Sequence, residues 1–346
     1  MIIIVGAGLS GLLAAYRLKK ASIPVKVIEA RNRIGGRIHT LISENKTPVE
    51  MGATWFWKTN QHLIKLLEEL ELSAFEQFME GSAYVQYFSN SPAQPVDIPP
   101  QETSFRIAGG TSSLIAKLAE HLSSEELVLG EAVQKVELHN NSLKIFTTQN
   151  EYEAEKVILA IPPRLVARSI SFSPELPTDI TEIAEQTHTW MEDSIKVALI
   201  YKSRFWKKRS LSGTVFSNVG PVTEFYDQTN AKDTHFALCG FMNSAYQSLS
   251  NAEREEKVVT QMTQIFGEEA ADYLAYEETV WNEEKYTKAS SDSSLYPHQN
   301  NGHSIFQKSF MQQKLFFANA ETSPQSPGYM DGAVYVANEI AKTIIG

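Results

Sequence analysis

The sequence predicts an α/β protein: a doubly wound parallel sheet with a second, β-rich α+β region inserted into it. Three observations carry that prediction. The chain opens on a β-branched run, Ile2-Ile3-Ile4-Val5, of the kind buried on both faces of a parallel sheet. A glycine-rich turn and an apolar helical repeat follow at once, and Val25-Lys26-Val27-Ile28 then supplies the second strand of a βαβ unit. After a strand-rich middle, the tail returns to one strand and one helix, which places the two ends of the chain in the same domain.

Size and composition fit this picture. A chain of 346 residues has room for two domains, and 42% hydrophobic with 21% charged residues is the balance of a globular protein. The net charge of −10 disfavours a nucleic-acid or anionic-membrane partner. A single cysteine, Cys239, rules out an internal disulfide framework and a cysteine-based metal cluster, and fits a reducing compartment. The histidines and carboxylates show no metal spacing, so no metal is expected. Met1 to Val5 lacks the basic flank of a signal peptide, and no run of about 20 apolar residues occurs. The chain therefore reads as cytoplasmic, without a membrane anchor.

In chain order, Leu12 to Lys20 has helical spacing, and a second helix over about Asn60 to Leu72 carries Leu63, Leu66, Leu67 and Leu70 on one face. Ser89 to Gln101 turns to Ser, Pro, Asn and Gln and reads as a loop or excursion. Gly109-Gly110 opens a helix, Ser112 to Leu122. Strands follow at Ala132 to Leu138, Leu143 to Thr147 and Lys156 to Ile161, the last stopped by Pro162-Pro163. The middle, Leu165 to Gln307, has strands at Ile195 to Tyr201, Thr214 to Asn218 and Phe236 to Met242, and a helix near Ala252 to Phe266. Lys314 to Ala318 and a terminal helix over Ala333 to Ile345 end the chain.

The chemistry begins at Gly6-Ala7-Gly8-Leu9-Ser10-Gly11, a dinucleotide fingerprint set between strand and helix. Gly6 permits the tight turn, Gly8 lets the backbone approach a pyrophosphate, and Gly11 lets helix and strand pack closely. The helix N-terminus supplies partial positive charge. Glu29 ends the second strand where a carboxylate can accept both ribose hydroxyl protons. Ala30, Arg31, Gly35, Gly36 and Arg37 extend the motif, with a second close backbone approach and a permanent cation for a phosphate.

Glu29-Ala30-x-x-Arg33-x-Gly35-Gly36-Arg37 after such a fingerprint resembles the flavin-containing amine oxidase family, whose members bind FAD with it. Glu50-Met51-Gly52-Ala53-Thr54-Trp55 resembles the family segment that passes close to the flavin. Gly109-Gly110 resembles its helix start, Val133 the valine that holds the adenine, and Ala160-Ile161-Pro162-Pro163 the strand that closes the FAD domain. The tail Asn319-Ala320-Glu321-Thr322 and Pro327-Gly328-Tyr329-Met330-Asp331-Gly332-Ala333 resembles the segment that lays a helix N-terminus against the flavin. There the resemblance implies Glu321 at the ribityl chain, the Met330 amide at the flavin O2, and Tyr329 as one wall of an aromatic cage. Lys196, followed by Tyr201, Phe205 and Trp206, matches the family lysine that holds a water at flavin N5 and supports reaction with oxygen, and Trp281 matches the tryptophan beside it.

The resemblance implies a Rossmann-like FAD domain built from residues 1–75, 104–163 and 308–346, a short substrate-domain excursion at 76–103, and a substrate domain at 164–307. It implies amine oxidation by hydride transfer to flavin N5, with O2 reoxidation to hydrogen peroxide. Two other classes remain: a desaturase or isomerase acting on an apolar substrate, and a non-catalytic FAD-binding protein.

The sequence departs from the family in two places. Ser290 stands where some members attach the flavin covalently, so FAD is expected to be non-covalent, and Ser291 stands where a second aromatic wall is expected. Tyr296, Phe56 and Trp57 are the aromatic substitutes available to replace that wall. Between the second helix and Gly109 there are too few residues for the helical lobe of larger relatives, so the cavity is expected to be open or closed by the partner in a homodimer.

Overall fold

A computed structural model describes residues 1–44, 46–99, 101–289 and 295–346. Its centre is a five-stranded sheet, all parallel, in the spatial order Leu127–Val128, Val25–Ile28, Ile2–Val5, Lys156–Leu159, Leu315–Phe317. Ile2 and Ile4 enter one hydrophobic core while Ile3 and Val5 enter another, which is why the opening run is apolar at every position. On the first face lie the Leu9–Lys20, Ser112–Ala119 and Met330–Ile345 helices, through residues such as Leu12, Leu114 and Val334. The other face is covered mainly by a four-stranded sheet, Glu151–Ala154, Ser142–Thr147, Val133–His139 and Ser171–Ser173. The strand order reverses between Ile2–Val5 and Lys156–Leu159, so a crevice opens beyond their carboxyl ends.

A seven-stranded sheet makes the second layer system, in the order Tyr273–Val280, Ile195–Tyr201, Phe236–Met242, Val222–Asp227, Leu211–Ser217, Ser82–Gln86, Gln94–Val96. One face packs on the Asn251–Phe266 helix, whose N-terminus is closed by a capping box between Ser250 and Glu253. The opposite face turns Ala198, Ile200, Ala237 and Cys239 toward Val49 and Met51, joining this sheet to the first domain.

Three readings of local structure are corrected. The helix following Gly8 starts at Leu9 rather than Leu12, and the second helix is shorter than expected, Gln61–Glu69. Ser89 to Gln101 is not simply loop: Gln94–Val96 pairs with Ser82–Gln86 in a hairpin that joins the large sheet beside Leu211–Ser217. Composition misled there because all three residues of Gln94–Val96 are exposed at a sheet edge, where polar residues and Pro95 are tolerated. Among the described residues no helix is long and apolar enough to cross a membrane, and no cluster of His, Cys, Asp and Glu could hold a metal.

Candidate active site

The crevice at the strand reversal is a cavity of about 320 Å³ that runs from Glu29, Glu131 and Val133 at one end to Tyr329 and Met330 at the other. Gly6, Gly8, Leu9, Ser10, Ala30, Arg31, Gly35, Gly36, Arg37, Ala53, Pro162 and Gly328 also line it. Gly11, Gly52, Thr54, Trp55, Lys196, Trp281 and Glu321 are not among the lining residues.

Backbone geometry forms the first end. Gly6 has φ +104° and Gly35 φ +102°, conformations that side chains rarely adopt. A Cβ on Gly11 would lie 2.0 Å from the Gly6 carbonyl oxygen, so the helix rests directly on the turn. Gly8 is different. Its φ −77° and ψ −178° suit any residue, and the nearest heavy atom to an added Cβ is Gly35 O at 4.0 Å. Its missing side chain therefore keeps the cleft open rather than relieving strain.

The helix behind Gly8 has no side-chain cap and no acid in its first turn, which leaves its amides for an anion. Glu29 accepts one amide on each oxygen, from Ala7 (2.8 Å) and Arg31 (2.9 Å), and retains lone pairs for a diol. A cradle of uncapped amides, an unfilled glycine and an acid at this spacing fits the phosphates and ribose of a dinucleotide. At the far end the Met330–Ile345 helix begins without a side-chain cap. Its first-turn Asp331 is turned away to the Leu63 amide and the Ser326 hydroxyl.

Several sequence-derived residues meet partners that spacing did not reveal. Arg37 engages Glu321 through both terminal nitrogens and also donates to the Trp190 carbonyl, 3.1 Å away. Two of its nitrogens are thus tied to a fully buried carboxylate while the residue still lines the cleft. Arg31 reaches Glu284, Thr287 Oγ1 and the Tyr286 carbonyl, which brings Lys285, Tyr286 and Thr287 to the cleft wall.

Behind the opposite wall, consecutive carbonyls of one segment are held by the second sheet. Cys239 Sγ donates to Glu50 O (3.4 Å), Trp281 Nε1 to Met51 O (2.7 Å) and Lys196 Nζ to Gly52 O (2.9 Å). Lys196 also donates to Thr54 Oγ1 at 2.8 Å, and its ammonium lies 5.2 Å from the Trp55 ring and 5.0 Å from that of Phe241. Burial pushes the Lys196 pKa down, against the pull of Cys239 and Glu50. Burial likewise raises the Glu50 carboxyl, opposed by the Thr111 amide and the Thr40 hydroxyl that bond to it.

The aromatic substitutes expected near Tyr329 are not its neighbours. Phe56 is buried against Phe105 and Tyr296 is 82% exposed, while Trp57 pairs in a short strand beside Ser104. The rings beside Tyr329 are instead His298 (6.0 Å between centroids) and Trp190 (6.1 Å), which stack on each other at 4.7 Å. Nothing in the local pattern marks either residue, since each arrives from a separate loop. Ser290 and Ser291 lie outside the described residues.

Residues 9–108 and 100–345 match the family model described as flavin containing amine oxidoreductase. The two stretches overlap at residues 100–108, just before Gly109. The chain is 24% identical to amine oxidase [flavin-containing] A of Sus scrofa, over 99% of this chain and 84% of the relative. That alignment takes 452 positions against 346 residues, so the relative carries residues with no counterpart here. It is 23% identical to a probable flavin-containing monoamine oxidase A of Dictyostelium discoideum, covering 99% and 97%. Among solved structures it resembles putrescine oxidase bound to putrescine (TM-score 0.85, 24% identity) and cyclohexylamine oxidase from Brevibacterium oxydans IH-35A (0.86, 22%). Each likeness covers 99% of this chain and 98% of the other, and at that identity each speaks for the fold.

Proposed function

This chain belongs to the flavin containing amine oxidoreductase family, and from that premise we propose how its residues divide the work of oxidising an amine. It is a FAD-dependent oxidoreductase acting on CH–NH groups. The observation that carries the reading is the continuity of one cleft from Glu29 to Met330. The bound flavin supplies the two-electron acceptor at N5, with O2 as its oxidant and hydrogen peroxide as product.

The protein's part is positioning and charge. Glu29 holds the ribose hydroxyls, and the amides after Gly8 hold the pyrophosphate. Val133 and Pro162 bound the adenine and the cleft wall. Arg37 and Glu321 neutralise each other, which lets a buried charge pair brace the middle of the cleft. The uncapped helix start at Met330 directs partial positive charge to the flavin end. Lys196 fixes the Gly52 to Thr54 segment and presents a proton donor near the flavin. Trp281 locks the same segment one residue earlier, and Tyr329 presents a half-exposed ring to the amine. FAD is held non-covalently because Ser290 cannot form a thioether. Domain boundaries as read from the sequence, and association as a homodimer that covers the open side, belong to the same reading.

Anaerobic mixing of the flavin-loaded protein with primary, secondary and poly-amines tests it. Bleaching of the flavin by at least one amine, followed by peroxide when air is admitted, is expected. A flavin inert to every amine overturns the reading, and bleaching without peroxide replaces O2 with another acceptor. Lys196→Met is expected to slow reoxidation by air at least tenfold, and an unchanged rate removes Lys196 from that role.

A further inference from the structure

One face of the seven-stranded sheet carries a row of directly paired residues across four strands: Lys196 with Phe241, Phe241 with Glu224, and Glu224 with Phe216. Residues paired in this way project from the same face. With strands about 4.8 Å apart, Glu224 stands roughly 10 Å from Lys196 along the row. Tyr226, two residues on, shares the face, and its hydroxyl donates to Glu224 Oε2 at 2.8 Å. The Tyr226 ring packs edge-on against Trp55 (5.1 Å) and Phe216 (6.1 Å). Trp55 in turn lies two residues beyond Ala53, which lines the cleft.

Phe216, Glu224, Tyr226, Phe241 and Trp55 are all only partly buried, so this face borders open space. Among the described residues no Lys, Arg or His forms an ion pair with Glu224, and its one hydrogen-bond partner is the Tyr226 hydroxyl. The reverse face of the same strands is filled by Val215 and Phe225 against the Asn251–Phe266 helix, as an ordinary core would be.

A carboxylate without a cation, flanked on one sheet face by Tyr226, Phe216 and Phe241 and aligned with Lys196, is a receptor for an ammonium group. The negative faces of the rings and the carboxylate charge act together, and the partly dry surroundings strengthen both. We propose that Glu224 binds the second, non-reacting ammonium of the substrate, so that the enzyme prefers linear α,ω-diamines and polyamines to monoamines. This rests on the amine-oxidase reading above. The reacting nitrogen must lose its proton so that its lone pair can form the C=N bond as the adjacent carbon gives up a hydride, whereas the distal nitrogen stays charged and pairs with Glu224. Tyr226 holds the carboxylate in place and acts as a positioning residue.

The test uses the flavin-loaded protein and two readouts. Calorimetry measures binding of hexamethonium, a dication that cannot be oxidised as an amine, against n-hexyltrimethylammonium. Steady-state kinetics compare hexamethylenediamine with n-hexylamine. Glu224→Gln is expected to raise the hexamethonium dissociation constant at least tenfold and to cut the diamine-to-monoamine ratio of kcat/KM by a similar factor. Glu224→Asp, which keeps the charge, is expected to retain most of the preference, and its binding shows that the face is still folded. Equal hexamethonium affinity in wild type and Glu224→Gln overturns the proposal, as does a loss as complete in Glu224→Asp as in Glu224→Gln. If no amine bleaches the flavin, the amine-oxidase reading fails by itself, because hexamethonium binding still reports on Glu224.

Discussion

Around the turn after Val5 the cleft is made of backbone, whereas the face around Lys196 is made of side chains drawn from four strands. At the first end, function depends on what is missing: Cβ atoms at Gly8 and Gly11, a cap on the helix, an acid in its first turn. At the second end it depends on what is present, namely Trp281, Lys196 and Cys239 each reaching a carbonyl of the Glu50 to Gly52 run. Backbone sites tolerate few substitutions. Side-chain sites can be rewritten one residue at a time, so they are where substrate preference changes.

That contrast can be broken at its strongest point first. Gly11→Ala puts a methyl 2.0 Å from the Gly6 oxygen, and backbone cannot yield as a side chain would. A loss of about 3 kcal/mol of stability and purification without flavin are expected, read by denaturant titration and visible absorbance. A stable, flavin-loaded Gly11→Ala protein would show that helix and turn are less tightly joined than the contact implies.

Trp281→Phe probes the other end. It leaves the buried Met51 carbonyl without its donor, and a cost of about 1–3 kcal/mol is expected in equilibrium unfolding. No change would mean that the clamp on the Glu50 to Gly52 run does not depend on this bond.

Gly8→Ala sharpens the comparison, because the fold has room for the methyl while Gly8 lines the cleft proposed to hold the cofactor. The FAD dissociation constant should rise at least tenfold, about 1.4 kcal/mol, while the melting temperature of the apoprotein stays where it was. A lowered apoprotein melting temperature would assign Gly8 to folding instead.

The smallest effect belongs to neither end. Glu69 is held down to about 2 from an ordinary 4.5, chiefly by its hydrogen bonds from Arg17 and then Lys20. A depressed carboxyl contributes stability above its unfolded pKa and loses it as pH falls from 4.5 toward 2. Glu69→Gln should therefore flatten the acid limb of stability against pH and leave flavin content untouched. An identical acid limb in the variant would show that this exposed pair contributes nothing.

How much was legible follows the same division. The opening strand, the glycine turn and Glu29 were readable because each is fixed by its immediate neighbours: β-branching, turn geometry and the length of one βαβ unit. The Gln94–Val96 strand was not, since its pairing with Ser82–Gln86 is decided by a sheet edge and its composition is that of a loop. Arg37 and Glu321 were both singled out, yet their union across 284 positions was invisible to spacing. Trp190 and His298 carried no signal at all; they become neighbours of Tyr329 only when two loops fold over the same end of the cleft.

By itself, then, the sequence determined the cofactor class and the βαβ scaffold that receives it, because those depend on backbone conformations encoded within a few residues. Only the tertiary structure decided that Glu224 stands in line with Lys196. That alignment is set by strand register across the Phe236–Met242 strand, and register depends on which faces find a core to bury rather than on any local pattern.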